Sequence, residues 1–119
     1  KGQIEGGFVQ GAGWLTIEEL NWKSNGELTT HSPSTYKIPA VSDMPEKFKV
    51  KVFKNENREN VVNKSKTTGE PPLMLGMSVF FAIKDAIASV VNHKIIPNLN
   101  APATPEAILL SINNIREKL

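Results

Sequence analysis

Glu70 stands in the run Gly69-Glu70-Pro71-Pro72, directly ahead of the apolar stretch Leu73 to Val91. Proline suits the first helical turn, where a missing N–H costs nothing, so Pro71 and Pro72 mark a helix start. A residue before proline is pushed toward extended geometry, and Gly69 permits a sharp approach, so the backbone aims the Glu70 side chain. Helix N–H groups favour a negative charge at that place and burial opposes it. A carboxylate held between those two influences is suited to general-base work. The same carboxylate would also serve as a plain cap for the helix.

Other reactive groups offer less. His31 and His93 lie far apart and neither belongs to a metal-ligand spacing, so no metal site is expected from them. Gly6 and Gly11 have the spacing of a phosphate loop, but Ala12 stands where its lysine belongs. Lys47, Lys49, Lys51 and Lys54 come without aromatic partners for base stacking and read as a solvated strand face.

The elements that must position Glu70 can be read around it. Five of the eight glycines precede Trp14, while Ile4, Phe8 and Leu15 with Gly7, Gly11 and Ala12 are spaced for one helix face. Glycine weakens a helix, so this density predicts close approach of a neighbouring backbone or ligand. Ser24-Asn25-Gly26 predicts a hairpin turn between Leu20 to Lys23 and Glu27 to Thr30, with Trp22 and Leu28 on one face. Phe48, Val50 and Val52 alternate with lysines as a half-buried strand does. Thr104-Pro105-Glu106 predicts the N-cap and first turn of a last helix that buries Ile108, Ile112 and Ile115. Within the stretch after Glu70, the face of Leu73, Met77, Phe80, Ile83, Ile87 and Val90 is expected to be buried. Met74, Phe81 and Val91 add apolar surface elsewhere on the same helix, so excess surface should drive self-association. Strands and helices without regular βαβ alternation give an α+β class, helices packed on a small mixed or antiparallel sheet.

A chain of 119 residues supports one modest domain, residues 1–119. With no cysteine it holds neither a disulfide nor a cysteine-ligated iron–sulfur cluster. A net charge of +2 gives no electrostatic argument for nucleic acid or anionic membrane. The apolar stretch has the length of a membrane span, but Lys84 and Asp85 interrupt it, so a soluble, cytoplasmic protein is expected. The chain begins at Lys1 with a helical pattern already under way, as a piece of a longer polypeptide would.

The strings Ser65-Lys66-Thr67-Thr68-Gly69-Glu70-Pro71-Pro72-Leu73-Met74-Leu75-Gly76 and Ser78-Val79-Phe80-Phe81-Ala82-Ile83-Lys84-Asp85-Ala86-Ile87 resemble the xanthine dehydrogenases, a family of molybdenum hydroxylases. So do Gly2-Gln3-Ile4-Glu5-Gly6-Gly7-Phe8-Val9-Gln10-Gly11, Pro33-Ser34-Thr35-Tyr36-Lys37-Ile38-Pro39 and Ala101-Pro102-Ala103-Thr104-Pro105-Glu106, in the family's order. The resemblance covers nearly the whole chain and points to the C-terminal portion of the molybdopterin-binding domain. It implies a molybdenum-molybdopterin cofactor here, with iron–sulfur clusters and FAD in other domains or subunits of the same enzyme. Glu70 matches the family's base, which takes the proton of a metal-bound hydroxyl so that the oxygen, ultimately from water, attacks an electron-poor purine carbon. Gln3 matches a glutamine at the cofactor pocket, where an amide donates and accepts hydrogen bonds without adding charge; the plainer reading is a solvated helix-end glutamine. Pro71-Pro72 is similar to the xanthine-type enzymes, whereas aldehyde oxidases tend toward Ser-Gly-like pairs. The resemblance thus implies xanthine or hypoxanthine as substrate, a homo-oligomeric enzyme, and an isolated 119-residue piece that is inactive. The alternatives are a non-catalytic assembly or dimerisation module and an aldehyde-oxidising relative.

Overall fold

Four helices carry the chain, α1 (Gly2–Thr16), α2 (Glu70–Leu75), α3 (Met77–Ser89) and α4 (Pro105–Arg116), in a computed structural model that describes residues 1–119. Single 3₁₀ turns at Val41–Asp43 and Val62–Lys64 punctuate the long connection between α1 and α2. The expected sheet is not there. The only β pairing is one antiparallel bridge between Trp22 and Leu28. Around it the predicted turn does form: Gly26 takes φ +84° and its N–H donates to Lys23 O at 2.9 Å, while Lys23 N–H donates to Glu27 O and Thr29 N–H to Asn21 O. Phe48 and Val50 are half-buried and Lys47, Lys49 and Lys51 exposed, but Val52 is 68% exposed, so the expected alternation ends at Val50. Phe48 rests on Phe8 of α1, with ring centroids 5.4 Å apart. No strand of the chain runs beside this segment to pair its N–H and C=O groups, and alternation alone does not make a sheet. The α+β expectation is therefore corrected to helices joined by irregular connections.

The core lies between α3 and α4. Ile87 from the last turn of α3 and Val91 just beyond that helix meet Ile115 of α4, with Leu99 and Ala103 from the segment that follows. Phe80, Ile83, Ile108 and Ile112 pack partly buried against this cluster. Thr104 caps α4 as expected, its Oγ1 accepting from Ala107 N–H at 3.2 Å. α3 ends because Asn92 and His93 both take positive φ, and His93 N–H reaches back to Ala88 O at 2.9 Å.

The helix after Glu70 is less buried than its sequence suggests. Val91, 2% exposed, takes the core position, whereas Val90 is 39% exposed and Phe81 58%. The two valines follow Ser89, the last residue of α3, and point to different sides of the chain as it leaves the helix, Val91 toward the cluster with Ile115. Met74, Leu75 and Met77 also lie on the surface. Thirteen of the 119 residues are buried and the radius of gyration is 18.2 Å. A compact domain of this length has a radius near 14 Å, so these residues do not close around a single core. The 20-residue stretch Glu70–Ser89 is long and apolar enough to cross a bilayer by length and composition. Within this chain it is packed lengthwise by α1 and at its end by α4.

Candidate active site

α1 and α2 meet through their backbones. A Cβ added at Gly7 would lie 3.0 Å from Gly69 O and 3.4 Å from Pro72 Cβ. One added at Gly11 would overlap the Leu73 carbonyl, and one at Gly76 would stand 2.5 Å from Gly11 C and 2.6 Å from Ala12 N. Only glycine lets two helices come this close, which accounts for the glycine density where Gly7 and Gly11 are concerned. Contact positions advance together along both helices, 7 with 69 and 72, then 11 with 73 and 76. The two helices therefore run in the same direction, N-termini together.

That shared end carries both candidate residues. Gln3 sits one turn before Gly7 on the same face of α1. Glu70 is the first residue of α2 and is exposed, as is Gln3. The helix begins one residue earlier than proline chemistry predicts. Gly69 has helical angles, φ −85° and ψ −48°, and its carbonyl accepts from Leu73 N–H at 3.2 Å, closing a first turn whose two prolines need no acceptor. Glu70 is also not at the mouth of a buried helix, because the helix it opens is largely uncovered by this chain.

Neither ion pair of the chain, Lys1–Glu5 and Lys23–Glu27, nor the close contact of Asp85 with His93 involves Glu70. In α1 the hydrogen-bond ladder starts with Ile4 and Glu5 N–H on Lys1 O, so the N–H groups of Gly2 and Gln3 have no helical acceptor. The N–H of Glu70 likewise precedes the ladder of α2. This end thus offers backbone donors, an amide that donates and accepts, and a carboxylate acceptor. Such a set fits a planar polar group with mixed donor and acceptor edges, as a pterin is.

The histidines lie elsewhere. His31 donates from Nδ1 to Leu28 O at 3.1 Å beside the hairpin, and His93 Nδ1 lies 3.6 Å from Asp85 Oδ1 at the end of α3. One polar pair has no signal in the sequence. Glu18, buried, accepts from the Tyr36 hydroxyl at 2.5 Å, and Gly13 leaves the room, since a Cβ there would stand 2.6 Å from Glu18 Oε1. The hydrogen bond to Glu18, then desolvation, then the carboxylate's charge raise the Tyr36 pKa above its usual 10.0. The pair ties the root of the hairpin to the end of α1.

Comparison with known proteins gives the family of the chain. The family described as molybdopterin cofactor-binding domain matches residues 1–45, a span that includes Gln3 and stops before Glu70. The xanthine dehydrogenase/oxidase of Felis catus is 47% identical over 113 residues, 90% of this chain and 8% of that protein. The xanthine dehydrogenase of Oryza sativa subsp. japonica is 44% identical over 128 residues, 98% of this chain and 9% of that protein. Aldehyde oxidase 1 of Bos taurus is 44% identical over 113 residues, 92% of this chain. The chain belongs to the xanthine dehydrogenase family of molybdenum hydroxylases, within the molybdopterin-binding part. It spans less than a tenth of the length of the curated relatives it matches.

Proposed function

We propose that residues 1–119 are the C-terminal portion of a molybdopterin-binding domain in an enzyme that hydroxylates xanthine or hypoxanthine, and that Glu70 is its general base. The observation that supports this reading is the close seam of α1 and α2, helices that begin at Gly2 and Glu70 and carry Gln3 and Glu70 in their first turns. When bound, the molybdenum pterin supplies a two-electron oxidation of a purine carbon, with oxygen drawn from water. Glu70 would take the proton from the attacking hydroxyl as general base. Gln3, with the free N–H groups of Gly2 and Gln3, would hold polar edges of the cofactor by hydrogen bonds. Iron–sulfur clusters and FAD would lie outside these residues, which contain no cysteine to hold a cluster. Cytoplasmic location and a homo-oligomeric enzyme belong to the same proposal, supported by the likeness to xanthine dehydrogenases.

Glu70→Gln in the full-length protein tests it. Loss of a general base costs on the order of a hundred- to ten-thousand-fold in turnover, with molybdenum content unchanged. More than about a tenth of wild-type turnover would remove Glu70 from that role. Gln3→Ala should lower molybdenum occupancy or rate more gently. Parallel assays with xanthine and an aromatic aldehyde separate the Pro71-Pro72 reading from an aldehyde-oxidising one, which the 44% identity to an aldehyde oxidase keeps in play. A full-length protein without molybdenum, made in cells that synthesise the cofactor, would favour an assembly module instead, the role suggested by exposed Met74, Leu75 and Phe81.

A further inference from the structure

We draw no further inference here: the strongest candidate, the polar cavity of about 400 Å³ between Glu19, the segment 98–102 and the face of α4 that carries the buried Ser111, has nothing in the structure to show what fills it, and the unpartnered Ser111 hydroxyl beside it is closed off from solvent.

Discussion

The α1–α2 seam and the α3–α4 core hold their helices by opposite means. In the core, branched side chains fill the space between backbones: Ile87, Val91, Leu99 and Ile115 supply apolar surface removed from water. In the seam the side chains are missing, and Gly11 and Gly76 bring backbone onto backbone. A core of packed side chains supplies stability, yet it repacks around small changes. A backbone contact supplies less apolar burial but fixes the relative position of two helices closely, because nothing between them can rotate. The candidate site sits on the seam, where position matters, and the core lies at the other end of α3, where stability is gathered.

The largest effect that could break this contrast is at Glu70. If the seam positions and the core stabilises, Glu70→Gln should abolish turnover yet leave the denaturant midpoint of the 119-residue chain where it was, since the side chain is exposed and unpaired. Ile115→Ala should do the reverse for stability. A fully buried isoleucine truncated to alanine costs about 2–5 kcal/mol, measurable by urea melts of the same chain; a loss below about 1 kcal/mol would mean the small core is not what holds α4. Gly11→Ala tests the seam from the other side. The added methyl overlaps the Leu73 carbonyl and should cost about 1–3 kcal/mol, despite alanine's better helix propensity, and a stabilised variant would show that the helices part freely.

The smallest effect concerns the Tyr36–Glu18 pair, outside both regions. Its folded pKa is raised above the unfolded value near 10, so the neutral, donating hydroxyl is the form the fold favours. The contribution is complete below about pH 10 and is lost as pH rises through the raised value. Denaturant midpoints taken from pH 8 upward should fall more steeply in the wild type than in Tyr36→Phe, and parallel curves would show that the hydrogen bond adds nothing.

Much of the local structure could be read from the residues. Threonine, proline and glutamate in succession predicted the start of α4, Asn25-Gly26 predicted the turn between Trp22 and Leu28, and the glycine density predicted a close approach that Gly7 and Gly11 now explain. Each depends on conformational limits of single residues, which act wherever the chain goes. The misreadings share another origin. The alternation at Phe48, Val50 and Val52 promised a strand, and a strand needs a partner that no local pattern can supply. The choice of Val91 over Val90 depends on where α4 arrives, and the Glu18–Tyr36 bond joins residues whose nearness only the folded hairpin creates.

By itself the sequence determined the family, through strings that match it in order, and with them Glu70 and Gln3 as the residues to watch. It also determined where helices start, because proline, threonine and glycine restrict the backbone within a turn. Only the tertiary structure decided that α1 and α2 run side by side in the same direction, so that residues 3 and 70 share one end. The reason is physical. Helix pairing is set by which surfaces can approach, and at this seam the surface that matters is bare backbone, whose partner no side-chain pattern names.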